Sequence, residues 1–131
     1  MGKEGFILVS FVFEGYEQHY KIKKSNMNVG VELVKFICYL EDHEMQTYFK
    51  GLLKNKRFNF NEAFCITNLK KDTNVEEIFD KEKESFVCEY IVDFDCEYLC
   101  HIKVSSTGFR NYNAYPFEQL AEYPYSQNFM E

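Results

Sequence analysis

Apolar and polar residues alternate over two stretches near the start of the chain, 6–13 and 16–23. The dipeptide Glu14-Gly15 separates them, and a two-residue loop that contains glycine is typical of a β-hairpin. The register set by this loop pairs Phe13 with Tyr16, Phe11 with Gln18, Val9 with Tyr20 and Ile7 with Ile22. One face is then apolar, and the other carries Ser10, Glu17, His19, Lys21 and Lys23, so the pattern favours this pairing.

A helical pattern follows the hairpin. Apolar residues recur every three or four positions from about Val29 to Lys54, after several polar residues that can cap a helix. The polar run Glu41-Asp42-His43 interrupts this pattern, so the segment is predicted to form either one long helix or two shorter ones. Farther along, Thr73 and Glu76 have the spacing of a capping box, which predicts a short helix at 75–80.

A second hairpin is predicted from the apolar-rich stretches 86–94 and 98–104. With Asp95-Cys96-Glu97 as a three-residue loop, the pairs are Phe94 with Tyr98, Val92 with Cys100, Tyr90 with Ile102 and Cys88 with Val104. Glu89 then lies opposite Lys103 on the outer face, which is a favourable charge pair. After this hairpin the chain becomes rich in tyrosine and asparagine, and Pro116 is placed to begin a short helix.

These elements predict an α+β fold in which residues 1–131 form a single domain and 126–131 form a frayed tail. The sheet is expected to be antiparallel, built from an N-terminal and a C-terminal β-hairpin and packed against one or two central helices. A length of 131 residues fits one domain, and 46% hydrophobic residues are sufficient for a core.

The formal net charge of −6 makes this an acidic protein. Broad nucleic-acid binding usually needs a basic domain, so the charge favours a basic protein partner or simply solubility. The five cysteines are an odd number, which argues against a secreted disulfide framework and indicates reduced thiols in a cytoplasm. The apolar run 6–13 is too short to cross a membrane, so no membrane contact is expected.

Candidate metal ligands cluster on the second hairpin, at Cys88, Cys96, Cys100 and His101. Zinc ligands must converge to about 2.3 Å from one ion, whereas neighbouring strand residues such as Cys100 and His101 point to opposite faces. None of the three histidines stands in a motif with a nucleophile, and the chain has no glycine motif for phosphates or dinucleotides. We therefore predict no catalytic residue, no metal and no cofactor.

A basic segment points to a different function. Basic and aromatic residues are interleaved over 48–60, and such mixtures can hold single-stranded RNA by phosphate contact and base stacking. The basic residues are Lys50, Lys54, Lys56 and Arg57. The aromatic residues can equally form buried faces of a helix and a strand beside solvated lysines, so both interpretations stay open.

The second hairpin resembles the plasmid pRiA4b ORF-3-like family, whose signature is approximately Y-x-Y-D-F-G-D-x-W-x-H-x-I. Matching residues are Tyr90, Asp93, Phe94 and Ile102, while Asp95, Cys96, Tyr98 and Cys100 stand where the family has other residues. The order of two strands and then a helix at the amino terminus is also similar. The resemblance implies a shared fold over roughly 6–104 and an association with plasmids and other mobile elements; it implies no particular biochemical activity.

Acidic charge, the lack of reactive motifs and the mobile-element resemblance together favour a non-enzymatic protein-binding module. We expect a small inhibitor carried by a phage or mobile element, such as an anti-CRISPR protein that docks on a basic nucleic-acid-binding effector. We place the partner-binding surface on the second hairpin, at Glu89, Asp93, Asp95 and Glu97, where fixed charge speeds encounter with a basic surface. The Tyr-rich tail is expected to fold back over the sheet. An enzyme that uses Cys96 or the Asp93 and Asp95 carboxylates is the remaining alternative.

Overall fold

The structure is a computed structural model that describes residues 5–23, 29–55, 75–78 and 86–122. The strands in these residues are β1 (Phe6–Phe13), β2 (Tyr16–Lys23), β3 (Val75–Ile78), β4 (Cys88–Asp93), β5 (Tyr98–Val104) and β6 (Arg110–Pro116). The helices are α1 (Val29–Asp42), α2 (Gln46–Lys54) and a 3-10 helix at Phe117–Glu122. The predicted α+β class is confirmed. The frayed tail predicted at 126–131 lies outside the described residues.

The chain divides into two compact units. The first comprises residues 1–26 and 74–116 and contains the sheet; the second comprises residues 27–73 and 117–131 and contains the helices. Each unit is assembled from two stretches of the chain, because the first stretch of the helical unit is inserted between β2 and β3 and its second stretch follows β6. The single-domain assignment stays a prediction.

The strands form one sheet in the order β3-β2-β1-β4-β5-β6. Neighbouring strands run antiparallel except for the central pair, β1 and β4, which run parallel with Ile7 paired to Cys88 and Phe11 to Val92. The prediction of a purely antiparallel sheet is wrong at this pair. Parallel neighbours need a long crossover, and the segment between β1 and β4 is long enough to include both α-helices.

The β1–β2 register is confirmed at every predicted pair. Glu14 and Gly15 both have positive φ angles, 51° and 77°, as the two-residue turns that match the twist of hairpin strands require. Glycine adopts this conformation at no steric cost, whereas a residue with a side chain does so at about 1–2 kcal/mol. The Glu14 conformation therefore needs stabilisation from elsewhere in the molecule.

The β4–β5 register differs by one residue from the predicted one. Cys88 pairs with Lys103, Tyr90 with His101 and Val92 with Leu99. The loop comprises residues 94–97 rather than three residues, and loop length sets the register of a hairpin. Glu89 consequently lies opposite Ile102, and its predicted charge pair with Lys103 is wrong.

Both edge strands differ from the sequence-based predictions. Residues 75–78 form β3 rather than a helix, and Glu76 Oε2 lies 3.4 Å from Lys21 Nζ on the neighbouring strand. Nucleating one short helix is unfavourable, so strand pairing prevails over the capping-box signal. The start of the Tyr-rich tail forms β6, which pairs with β5 along its seven residues and extends the sheet instead of folding over it.

Two helices, not one, occupy the helical segment. Glu44 has a φ of 53°, and the Met45 N–H donates to the Leu40 carbonyl at 2.8 Å, which ends α1 before α2 begins. Phe36 of α1 and Phe49 of α2 pack edge to face with ring centroids 4.9 Å apart.

The short helix predicted after Pro116 is confirmed as the 3-10 helix, whose Phe117 and Leu120 are buried. Within the described part of the chain, no helix is both long and apolar enough to span a membrane.

Phe94 belongs to the core although it follows the end of β4. Its side chain is 3% exposed and its ring stacks with Phe11, with centroids 6.3 Å apart. We expect Phe94→Ala to lower the free energy of unfolding by about 3–5 kcal/mol, because it opens a cavity. Phe109 is 72% exposed, so Phe109→Ala is the matched control and should change stability by less than about 0.5 kcal/mol. Urea denaturation measures both; equal effects would contradict the packing of Phe94.

Candidate functional site

The turns that follow β1 and β4 lie side by side. The two strands are parallel, so their carboxyl ends meet at the same edge of the sheet. The pairing continues past the strand ends, where the Phe94 N–H donates to the Val12 carbonyl at 2.8 Å. The parallel central pair therefore brings the β1–β2 turn and the β4–β5 loop together.

Asp95 links the two turns directly. Its Oδ1 accepts from the Glu14 N–H at 2.7 Å, and its Oδ2 accepts from the Gly15 N–H at 3.1 Å. Hydrogen bonds from backbone amides to a charged carboxylate are stronger than neutral ones. This clamp supplies the stabilisation that the positive φ of Glu14 requires.

Asp93 fixes the β4–β5 loop from inside. Its Oδ1 accepts from the N–H groups of Asp95 and Cys96, at 2.9 and 3.0 Å. Aspartate side chains often bond the backbone two or three residues on, and such bonds stabilise turns. Asp93 therefore positions Asp95, and Asp95 in turn holds the neighbouring turn.

Every charged residue in these two turns is acidic. We call residues 14–17 and 93–98 the acidic tip, whose carboxylates belong to Glu14, Glu17, Asp93, Asp95 and Glu97. Two aromatic rings accompany the charge, since Tyr16 is 67% exposed and Tyr98 is 41% exposed. The tip thus presents negative charge and aromatic surface on a hydrogen-bonded frame.

The negative charge of the acidic tip shifts the pKa of the Cys96 thiol. Cys96 is exposed. The pKa of its thiol is raised mainly by the charge of Asp93, and then by desolvation, by a hydrogen bond to Asp93 and by the charges of Asp95 and Cys100. A raised pKa lowers the thiolate fraction at neutral pH, and the thiolate is the nucleophile. The Cys96 thiol is therefore less reactive than an ordinary cysteine, whereas an activated cysteine has a lowered pKa.

The acidic tip contains three of the four residues placed in the partner-binding surface. Asp93, Asp95 and Glu97 come together there, but two of them also hold the backbone. Glu89 is different: it is 7% exposed and forms an ion pair with Arg110 of β6. The expectation that Glu89 lies on an open outer face is wrong, because the register shift and the additional strand bury it.

The basic segment is only partly described. Lys50 and Lys54 lie one turn apart on α2, while Lys56 and Arg57 lie outside the described residues. Phe49 is buried at 2% exposure and belongs to the core of the helical unit, whereas Tyr48 is 62% exposed. In the described part of the segment, 48–55, Tyr48 is the one exposed ring, whereas single-strand binders typically present several stacking platforms.

A serine–histidine–carboxylate arrangement lies on the sheet. Ser10 Oγ is 2.7 Å from His19 Nδ1, and His19 Nε2 is 3.6 Å from Glu17 Oε2. Ser10 and His19 stand opposite each other in the predicted hairpin, so the predicted register already places these two side chains next to each other. Ser10 is only 2% exposed, and a nucleophile must reach its substrate. The hydrogen bond satisfies two buried polar groups rather than forming an accessible catalytic site.

A thiol–imidazole pair on the second hairpin is also buried. Cys88 Sγ lies 3.1 Å from His101 Nε2, and the Tyr90 ring stacks on His101 with centroids 4.5 Å apart. The predicted register places Cys88 on the face of Cys100, so the one-residue shift is what creates this pair. Among the described residues, no group of three or more His, Cys, Asp or Glu side chains is arranged to hold a metal ion.

No protein-family model matches the chain, and comparison with curated proteins and with solved structures found no match. The resemblance to the pRiA4b ORF-3-like family stays a prediction.

The Asp95 clamp is tested by removing its carboxylate. We expect Asp95→Ala to lower the free energy of unfolding by about 1–3 kcal/mol, since two amides lose a charged acceptor. Asp95→Asn should have a smaller effect, because the amide keeps one acceptor oxygen and turns a donor toward the second N–H. Thermal and urea denaturation measure the series. Glu97→Ala removes an exposed carboxylate from the same loop and is the control; a loss as large as that of Asp95→Ala would contradict a specific clamp.

The electrostatic account is tested by the alkylation of Cys96. Asp93→Asn removes the charge that raises the Cys96 pKa most, yet keeps an acceptor oxygen for the loop amides. We expect the pKa of the thiol to fall and its reaction with iodoacetamide at pH 8 to become faster, because the thiolate fraction increases. Mass spectrometry of the Cys96 peptide over a pH series measures the shift. An unchanged or upward-shifted profile would contradict the account.

Proposed function

We propose that this protein is a small non-enzymatic module that binds another protein through the acidic tip. The observation that carries the proposal is the Asp95 clamp, which joins two turns into one negatively charged surface. A surface whose shape is fixed before binding loses less conformational freedom when a partner docks. Fixed negative charge favours a basic partner, because charge complementarity speeds encounter and sets the binding register.

The exposed tyrosines support a protein partner. Tyr16 and Tyr98 flank the carboxylates of the tip. Tyrosine is enriched among the residues that dominate binding energies at protein interfaces. Its ring also attracts an arginine guanidinium, which can bond a neighbouring carboxylate at the same time. The tip therefore offers both halves of an arginine-binding surface.

The partner class that we propose is a nucleic-acid-binding protein. Surfaces that bind DNA or RNA present lysine and arginine to the phosphates, and clustered carboxylates attract the same side chains. A module bound there would compete with the nucleic acid and inhibit the partner. This activity suits a phage or mobile-element inhibitor of a host defence effector, such as an anti-CRISPR protein.

Three features favour binding over catalysis. The exposed thiol of Cys96 has a raised pKa, which makes it a poor nucleophile. Ser10 beside His19 and Cys88 beside His101 are both buried. The hypothesis of an enzyme that uses Cys96 is therefore less favoured than a binding module. Single-stranded RNA binding by the α2 lysines is the second candidate function, and the exposure of Tyr48 on the same helix is the observation that favours it.

Charge reversal at the tip tests the proposal. Glu14 and Glu97 are exposed tip residues whose side chains take no part in the Asp95 and Asp93 bonds. The chain is immobilised and purified CRISPR effector complexes are passed over it, with binding and nucleic-acid cleavage both measured. We expect wild type to bind at least one effector and inhibit its cleavage. Glu14→Lys/Glu97→Lys should weaken that binding at least about tenfold, mainly through slower association at low salt.

The control reverses the same amount of charge elsewhere. Glu41 and Glu118 are exposed and belong to the helical unit, so Glu41→Lys/Glu118→Lys should bind within about threefold of wild type. Equal loss in both variants would show that net charge, not the tip, drives binding. Failure of every effector to bind wild type would contradict the proposed partner class. Salt-sensitive binding of unstructured RNA that is lost on Lys50→Ala/Lys54→Ala would favour the second candidate.

A further inference from the structure

The two edges of the sheet are protected to different degrees. β3 is four residues long and carries Glu76 and Glu77 in its centre. β6 is seven residues long, and residues 110–114 are exposed along it. Natural proteins block edge strands by keeping them short or by placing charges on them, since a long unprotected edge can pair with another strand. By these criteria β3 is a blocked edge and β6 is an open one.

The interior of β6 lacks the residues that prevent edge pairing. Its one charge, Arg110, is at the first position and forms an ion pair with Glu89 of the same chain. Its one proline, Pro116, is at the last position, where it does not interrupt the strand. The five residues between them, Asn111 to Tyr115, are uncharged. Alternate residues of this stretch direct their backbone N–H and C=O groups away from β5, where a further strand can pair with them.

We propose that β6 pairs with β6 of a second copy of this chain, antiparallel and about a two-fold axis at Asn113. Asn113 is the middle residue of the strand, so this register pairs all of β6, from Arg110 against Pro116 at each end. Two-fold symmetry is the usual arrangement of homodimers and requires a self-complementary surface. The pairing joins the two sheets into one continuous sheet and covers both open edges.

The charge distribution of the sheet selects the antiparallel orientation. One end of the strands carries the acidic tip, and the opposite end carries Lys23, Lys103 and Arg110. Antiparallel pairing places the acidic end of each copy beside the basic end of the other. Parallel pairing would bring two acidic ends together, where like charges repel. A partner of the same sequence therefore fits this edge in one orientation.

The side chains of β6 also fit this register. Tyr112 and Ala114 lie on one face. In the dimer, Tyr112 of each copy would stand opposite Ala114 of the other copy, so a large side chain meets a small one. Tyr112 is held in place because its hydroxyl donates to Cys100 Sγ at 3.1 Å. On the other face, Asn113 meets Asn113 of the second copy, and amide side chains can donate and accept at once. A single strand pair buries less than a standard interface, so the dimer is reversible.

The two-fold axis allows a symmetric charge test. Asn113→Lys places two lysines directly opposite each other in the dimer, and Asn113→Asp places two aspartates there. Sedimentation velocity from about 1 µM to about 1 mM, a range that covers reversible dimers, measures association. We expect wild type to dimerise within it. Each variant alone should associate at least about tenfold more weakly, and an equimolar mixture of the two should recover dimer to within about threefold of wild type.

Ser106→Lys is the control, because Ser106 is exposed in the loop before β6 and outside the pairing register. It should dimerise as wild type does, and all variants should melt within a few degrees of wild type. Wild type that stays monomeric throughout the range would overturn the proposal. Normal dimerisation of Asn113→Lys, or a mixture that does not recover dimer, would overturn the register about Asn113. None of these outcomes depends on whether the acidic tip binds an effector.

Discussion

The parallel pairing of β1 with β4 organises the sheet and its candidate site. It sets the two hairpins side by side in one direction, so their turns meet at one edge. At that edge the Asp95 carboxylate can reach the Glu14 and Gly15 amides, which are 81 and 80 positions away in sequence. An antiparallel central pair would place the turns at opposite ends of the sheet. The acidic tip is therefore a consequence of topology as much as of composition.

Local patterns predicted the parts of this fold that local interactions decide. The β1–β2 register follows from Glu14-Gly15 and from strict alternation, and a one-residue slip there would bury charges such as Lys21. The helical period located α1 and α2, and the polar run at 41–43 marked the position of the break, although the choice between one helix and two stayed open. The acidic residues of the β4–β5 loop were recognised as a surface, because their charge and turn position are visible in the sequence.

Long-range contacts decided the parts that were not predicted. The β4–β5 register predicted with a three-residue loop paired apolar residues throughout, so the hydrophobic pattern alone could not exclude that register. The hydrogen bonds from Asp95 and Cys96 to Asp93 favour the longer loop that the structure has. β3 has four residues and is stabilised by pairing with β2. This pairing prevails over the capping-box signal for a helix in its sequence. β6 lacks the apolar alternation of a strand, and without β6 the burial of Glu89 beside Arg110 could not be foreseen. The clamp on Glu14 required the parallel pair, which no local pattern encodes.

The Asp95 clamp joins two turns that are distant in sequence into one rigid acidic surface. Backbone ¹⁵N relaxation and amide exchange at Glu14, Gly15, Asp95 and Cys96 test it most directly, because all four amides donate to aspartate carboxylates. If the surface is rigid, we expect order parameters near those of the strands, about 0.85, and slowed exchange at all four positions. Order parameters below about 0.6 with unprotected exchange at Glu14 and Gly15 would contradict it, since the two turns would then move independently.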